Sequence, residues 1–513
     1  MPRLLPENTW TADEALQSLL KSWLLPARFD WAKHALIDMG RAAAAELQAW
    51  GDACERQPAT LRSFDAWGNR IDEVVYPQAW HQIAAASARA GLVGLPYEDN
   101  SLARLGWDAR LIQAALCYLF APSTATYLCP VAMTDGAARV LADFGSPRQR
   151  GETLVHLTSR DPEQAWTSGQ WMTERQGGSD VGRNAVTAKR EDDGWRLYGQ
   201  KFFCSNIGCE VALALARPEG APSGTQGLGL FLVPREVDGR RNTYRIDRLK
   251  DKLGTRAMAT GEVTLDGTTA ELVGDVEQGF TQMTSMLNIT RLHNAITAAA
   301  TMRRGCMLVS AYAAEREAFG RKLDQHALFR EVVCDMEAEA DAALYLTMRM
   351  AQLLGRIEIN GGTSEERALF RLGTALAKLY TAKQAVAVMS EAIECFGGQG
   401  YMEDTGLPRL LRDAQVLTIW EGPTNVLALD ALRVLRKPDA FSALVGELVR
   451  LDAPERNRVL DLAQATVEQR DERLARRVAY SLSEAWMAGL LHAAGRDAVV
   501  ARLKPRGTGL RPQ

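Results

Sequence analysis

The chain has 513 residues, too many for one compact core and enough for several domains. Its 47% hydrophobic and 24% charged residues are the balance of a globular protein, and a net charge of −3 argues against a chain built throughout to bind polyanions. No run of about 18 apolar residues occurs, and no basic segment leads into an apolar one at the N-terminus, so neither membrane spanning nor export is expected. Eight scattered cysteines without a C-x-x-C pair suit a reduced, cytoplasmic protein, and six histidines without ligand spacing predict no metal site.

From Ala12 to about Arg160 apolar residues recur at helical spacing, as in residues 80–92 and 109–120, which predicts an N-terminal helical domain over residues 1–165. Between Trp166 and Leu272 the texture changes. Residues 186–190, 195–198, 211–216, 228–233 and 262–265 read as short strands, with Asp192-Asp193-Gly194 as a hairpin turn between the first two, predicting a small β domain over 166–275. Helical periodicity returns after Gly279, where Leu292, Ala295, Ile296, Ala299, Met302, Cys306 and Val309 fall on one face. Thr363-Ser364-Glu365-Glu366 has capping-box spacing ahead of Leu369, Leu372, Leu376 and Leu379, and Gly397-Gly398 is placed to stop that helix. This predicts a helical domain over 276–437. A further helical extension, 438–513, follows; residues 431–513 hold 15 Arg/Lys against 10 Asp/Glu, making this the basic end of the chain.

Two segments carry chemistry. Met172-Thr173-Glu174-Arg175-Gln176-Gly177-Gly178-Ser179-Asp180 combines a hydroxyl, a carboxylate and flexible backbone, suited to wrapping a flat polar group. Residues 412–422 end in Trp420-Glu421-Gly422, a carboxylate in an apolar setting. Together they resemble the signatures of the acyl-CoA dehydrogenase flavoproteins, and the wording of the first segment, of Leu249-Lys250-Asp251-Lys252-Leu253-Gly254 and of the C-terminal extension is similar to the AidB-like branch of that family.

The resemblance implies an α+β fold: an N-terminal helical domain, a central small β-barrel, a helical bundle and the helical extension. It implies FAD as cofactor. Met172 and Thr173 would then meet the pyrimidine edge of the flavin, where fixed donors stabilise the charge of the reduced ring, with Gly178 allowing close approach and Ser179 lying by the pyrophosphate. Lys201-Phe202-Phe203-Cys204-Ser205-Asn206 resembles the family's K-x-W-I-T-N, which puts Phe203 beside the ring system and Ser205 near N5. Arg316 and Phe319 match R-x-x-F-G, whose arginine reaches the FAD pyrophosphate of a neighbouring subunit. Gly397 and Gly398 match Q-x-x-G-G-x-G at the adenosine half, with Glu394 in the usual glutamine place. Such sharing implies at least a dimer, and the resemblance implies a homotetramer.

By the same resemblance Glu421 is the base that removes the α proton of an acyl-CoA thioester, its pKa raised by burial beside Trp420. Gly422, Thr424 and Asn425 flank it at cofactor positions. Thr290 occupies the place of the base in some branches, and the following Arg291 is expected to contact substrate, while Asn288 stands where many members have an acidic residue. The expected electron acceptor is an electron-transferring flavoprotein. AidB-like proteins are also associated with the alkylation-damage response, weak dehydrogenase activity and duplex DNA binding. The alternative expectation is therefore a flavin scaffold whose Arg433, Arg436, Lys437, Arg473, Arg476, Arg477, Arg502, Lys504 and Arg506 contact DNA phosphates.

Overall fold

The computed structural model describes residues 4–192 and 194–503. Contacts divide the chain into two compact units, one formed by Met1–Gln48, Asp99–Ser123 and Arg291–Gln513 and the other by Ala49–Glu98 and Thr124–Thr290.

The second unit holds the β structure. An antiparallel pair, β1 (Thr60–Phe64) and β2 (Arg70–Val75), interrupts the N-terminal region that helical periodicity alone assigns to helix. The central strands are β3 (Ser168–Trp171), β4 (Thr187–Glu191), β5 (Gly194–Ser205), β6 (Val211–Pro218), β7 (Gly229–Pro234), the short pair β8 (Glu236–Val237) and β9 (Arg240–Arg241), β10 (Arg245–Leu249) and β11 (Thr260–Leu272). Pairing runs β11 to β5 to β4 to β6 to β7 and back to β11, so the sheet closes into a barrel, with β10 added to β11 and β3 added parallel to β6. Closure gives each of the five ring strands two neighbours, and β10 and β3 are left at the margins. The predicted hairpin between β4 and β5 is present, Glu191 facing Gly194; Asp193 lies outside the described residues.

Strand periodicity explains why β6 is apolar on both faces. Ala212, Ala214 and Ala216 join the barrel core with Trp171, Leu197, Phe231 and Val263, whereas Val211, Leu213 and Leu215 pack outward against the helix Leu128–Phe144 and the start of the helix Gly279–Glu315. Small alanines fit the narrow barrel interior and larger side chains fill the outer layer.

The first unit is helical. All seven predicted face residues of the Gly279–Glu315 helix, Leu292 to Val309, are buried. Asp108–Phe120 is buried along its whole length, and its Arg110 forms a buried ion pair with Glu358 of the helix Ala327–Asn360 (2.6 Å). By their contacts, residues 4–48 and 99–123 group with the C-terminal helices.

The helix Ser364–Cys395 starts as its sequence predicts. Thr363 Oγ1 accepts from the Glu366 amide at 3.0 Å and the Glu366 carboxylate accepts from the Thr363 amide at 2.9 Å. Thr363→Ala is expected to cost about 1 kcal/mol, read as a lower denaturant midpoint with an unchanged slope.

The extension is folded into this unit. Its helices are Pro438–Arg450, Arg456–Gln469, Ala475–Ala493 and Asp497–Arg502. Trp486, wholly buried, donates from Nε1 to Glu447 Oε1 at 3.3 Å, and the same carboxylate is paired with Arg349 of the Ala327–Asn360 helix at 2.9 Å. Burial opposes ionisation of Glu447, but Arg349 and Arg450 outweigh it and hold the carboxyl below its usual range.

Candidate active site

In the barrel unit the glycine-bearing loop after β3 is built around one buried ion pair. Glu174 Oε1 accepts from Lys201 Nζ at 2.8 Å and from the Val186 amide at 3.1 Å, while Oε2 accepts from the Ala185 amide at 2.6 Å and from Gln176 Nε2 at 2.7 Å. The two charged side chains are 2% and 0% exposed, so water contributes nothing to their solvation. Burial raises the Glu174 carboxyl, yet Lys201 and the two amides overcome this and leave it below its ordinary value. The pair ties the loop to β5. The Phe202 amide also donates to the Thr173 carbonyl at 2.9 Å, and Asn184 Nδ2 donates to that of Met172 at 3.1 Å.

This frame fixes Met172, Thr173 and Gly178 beside β5. A Cβ on Gly178 would lie 2.5 Å from Thr173 Oγ1, so only glycine lets the loop fold onto that hydroxyl. Ser179 is exposed at the loop end. On β5, Lys201 and Cys204 point inward while Phe203 is 51% exposed and Ser205 half-buried, its Oγ 3.4 Å from Thr260 Oγ1. The Lys250 ammonium lies over the Phe202 ring at 3.5 Å and the Phe203 ring at 4.4 Å from the centroids, and is paired with Glu262 at 2.7 Å. An exposed aromatic face and a glycine-fitted hydroxyl loop, held on a rigid barrel, suit a flat heteroaromatic ring bearing acceptor groups.

In the helical unit Glu421 sits in the tight connection between the helices Leu407–Leu417 and Thr424–Leu435. Its φ is +56° and that of Gly422 is +104°. The first is costly for a residue with a Cβ, and the second is glycine territory. The surroundings over-determine this backbone. Arg291 Nε donates to the Glu421 carbonyl at 3.2 Å, Lys378 Nζ donates to the Gly422 carbonyl at 2.7 Å, and Trp420 Nε1 donates to Asn294 Oδ1 at 3.2 Å, whose amide in turn donates to the Leu417 carbonyl at 3.0 Å. Arg291 also meets Asp430 at 3.2 Å, a buried carboxylate shared with Arg371 and Arg433. Burial would raise Asp430, but the three arginines hold it below the usual range.

Arg291, expected to contact substrate, thus has its guanidinium engaged by the chain's own carbonyl and carboxylate. Sequence reasoning also weighed only burial at Glu421. The structure adds two cations, Arg291 and Lys378, that attract its carboxylate form. Thr424 is buried and Asn425 exposed at the start of the following helix.

A second cluster in the same unit joins two more predicted segments. The helix Gly279–Glu315 ends in a two-residue hairpin, Glu317–Ala318 against Arg321–Lys322, that lifts Phe319 to 97% exposure with φ +52°; Arg316 precedes it on the surface. Tyr312, near the end of this helix, stacks on Phe396 with centroids 4.1 Å apart, and Phe396 leads into the Gly397–Tyr401 turn. A Cβ at Gly397 or Gly398 would meet no chain atom within 4 Å, so their backbone faces outward and can be approached closely. An exposed guanidinium near open glycine backbone fits a phosphate-bearing ligand.

Among the described residues no group of three or more His, Cys, Asp or Glu is placed to hold a metal ion, and no helix is long and apolar enough to cross a membrane. Of the arginines proposed for DNA, Arg433 is paired with Asp430 (2.6 Å), Arg436 with Glu472 (4.0 Å), Arg473 with Asp471 (2.8 Å) and Arg502 with Glu331 and Asp335 (3.0 and 3.1 Å). Arg476 lies over the Tyr480 ring, Lys437 and Arg477 are exposed, and Lys504 and Arg506 lie outside the described residues.

Residues 277–435 match the acyl-CoA dehydrogenase C-terminal domain, residues 169–268 its middle domain, and residues 1–163 the adaptive response protein AidB N-terminal domain. The chain belongs to the acyl-CoA dehydrogenase family of FAD-dependent oxidoreductases, in its AidB-like branch. It is 40% identical over 452 residues to acyl-CoA dehydrogenase family member 11 of Caenorhabditis elegans, covering 86% of this chain and 73% of that protein. To the putative acyl-CoA dehydrogenase AidB of Escherichia coli it is 33% identical, covering 88% and 84%. Among solved structures, apo Bd2924 superposes with a TM-score of 0.92 at 40% identity over 96% of this chain and 98% of the other. C. elegans ACDH-11 in complex with C11-CoA superposes with a TM-score of 0.90 at 35% identity, over 98% and 90%.

Proposed function

We propose that this protein oxidises an acyl-CoA thioester to its 2,3-enoyl product, with Glu421 as the base that takes the α proton. The observation that carries this reading is the strained Glu421-Gly422 backbone, fixed by one buried cation, Lys378, and one largely buried, Arg291: a surface carboxylate at a helix end has no need of such support. FAD, when bound, supplies the acceptor for the β hydride. Thr173 with Met172 and Gly178, together with Phe203 and Ser205, would hold its ring; Ser179, Arg316, Phe319, Gly397 and Gly398 would hold its phosphates and adenosine, with Gly422, Thr424 and Asn425 flanking the base. We read Arg291 as positioning the base turn rather than touching substrate. A long-chain or medium-chain saturated thioester is the substrate class to test first, because ACDH-11 binds C11-CoA.

Phe319 and, nearby in sequence, Leu328 are 97% and 80% exposed, as are Tyr401 at 83% and Met402 at 55%. This apolar exposure supports assembly of the chain with copies of itself, in the tetramer expected of the family. An electron-transferring flavoprotein is the proposed acceptor of the electrons. None of the eight cysteines is in a disulfide, which supports a reducing compartment such as the cytoplasm. Arg433, Arg436, Arg473 and Arg502 are each paired with a carboxylate, which lessens the positive field they present, so the enzymatic reading is favoured over a DNA surface.

Incubating FAD-loaded protein with C11-CoA and an artificial electron acceptor should yield a thioester two hydrogens lighter, identified by mass spectrometry as the 2,3-enoyl product. Recovery of only unchanged thioester, across a range of chain lengths, would reject the reading.

A further inference from the structure

Lys378 lies in the middle of the Ser364–Cys395 helix, within Gly373-Thr374-Ala375-Leu376-Ala377-Lys378-Leu379-Tyr380-Thr381-Ala382, and is 1% exposed. Burying an ammonium is expensive, and an apolar side chain of similar length would pack there at no such cost. The Lys378 ammonium donates to the Gly422 carbonyl at 2.7 Å. Burial pushes the Lys378 ammonium down to about 7, Glu421 acting to raise it and Arg291 to lower it further.

The neighbouring geometry gives the lysine a task. Glu421 and Gly422 both have positive φ, and their consecutive carbonyls are met by cations from two different helices, Arg291 from Gly279–Glu315 and Lys378 from Ser364–Cys395. Arg291 is anchored in turn by Asp430, so one side of the turn is fixed through an ion pair and the other by Lys378. A carbonyl released from Lys378 would let the Glu421-Gly422 peptide rotate toward commoner backbone angles, and the carboxylate would leave the backbone in a different direction. We infer that Lys378 is a positioning residue for the base: by holding the Gly422 carbonyl it locks the left-handed turn from which the Glu421 carboxylate projects, and its charge favours the ionised form of that carboxylate.

This rests on the reading of Glu421 as base, so the experiment separates the two. FAD-loaded wild type, Lys378→Met, Lys378→Gln and Glu421→Gln are mixed anaerobically with C11-CoA, and the rate constant of flavin bleaching is followed against pH, alongside FAD content and thioester affinity. Lys378→Met should keep FAD and bind the thioester while bleaching at least about tenfold more slowly, because small misplacement of a reacting group is costly. Lys378→Gln, which retains an N–H donor, should recover part of that loss, and both variants should move the kinetic pKa of bleaching upward through loss of the positive charge. A Lys378→Met rate within about twofold of wild type with a superimposable pH profile overturns the inference. So does a loss that Gln does not relieve and that leaves the profile in place, since that marks packing alone; if the Met variant does not fold, the profile of the Gln variant decides. Bleaching that persists in Glu421→Gln removes the base and the inference together, whereas its loss there with an unaffected Lys378 series removes only the inference.

Discussion

Glu421→Gln is expected to retain FAD and fold stability while flavin reduction by an acyl-CoA slows by about 10²–10⁴-fold, the range that a positioned general base contributes. The structure explains why the effect should be confined to chemistry. The clamp on the turn acts on main-chain oxygens, Arg291 on that of Glu421 and Lys378 on that of Gly422, so the side-chain amide can replace the carboxylate without releasing the backbone. Glutamine is nearly isosteric and meets the φ of +56° at much the same cost. It cannot accept the α proton. Stopped-flow reduction measures the rate, and the ratio of visible to protein absorbance reports retained FAD. Equal rates in variant and wild type would remove Glu421 from the role.

The second large effect concerns stability. Glu174→Ala should destabilise the barrel by about 3–5 kcal/mol, because it strands the Lys201 ammonium in an interior where that side chain is 0% exposed and also releases the amides of Ala185 and Val186. The double variant Glu174→Gln, Lys201→Met, which removes both charges, should recover part of the loss. The sign of the pH dependence follows from the lowered Glu174 carboxyl. Its contribution is complete well above the ordinary carboxylate value and is lost as pH falls through the lower folded one, so wild type and variant should converge below about pH 4. Denaturant titration at several pH values, with FAD content measured in parallel, checks this. A single-site Glu174 variant as stable as the wild type at neutral pH would contradict it.

The helices were legible in the sequence because their burial follows a 3.6-residue period with ordinary punctuation: Thr363 begins one as read, and Leu369, Leu372, Leu376 and Leu379 all turn inward. The strands were located but cut short. Residues 195–198 belong to β5, which continues to Ser205, its charged Lys201 buried against Glu174. Residues 262–265 belong to β11, which runs on to Leu272, because Asp266-Gly267, which reads as a turn, is a bulge with Gly267 at φ +68° inside one strand. The β1–β2 hairpin and the four-residue β3 are too short, and their apolar alternation too weak, to stand out locally.

At the site, the two signature segments and Glu421 were visible as residue types; Met172, Thr173 and Gly178 lie beside the strand that carries Phe203 and Ser205, and the helix that leads to Arg316 packs through Tyr312 on Phe396, ahead of Gly397 and Gly398. The supporting charges were not visible. Pairing of Lys201 with Glu174, and of Lys378 with a carbonyl 44 positions away, leaves no local pattern. One signal was present: Lys378 is the single charge in the run from Gly373 to Ala382.

The most direct test of the account is anaerobic mixing of FAD-loaded protein with C11-CoA carrying hydrogen or deuterium at the α carbon. The account predicts bleaching of the flavin that is slower with the deuterated thioester, and no comparable bleaching in Glu421→Gln. Absence of bleaching by saturated thioesters of any chain length, or bleaching that is indifferent both to α-deuteration and to the loss of the Glu421 carboxylate, would contradict it.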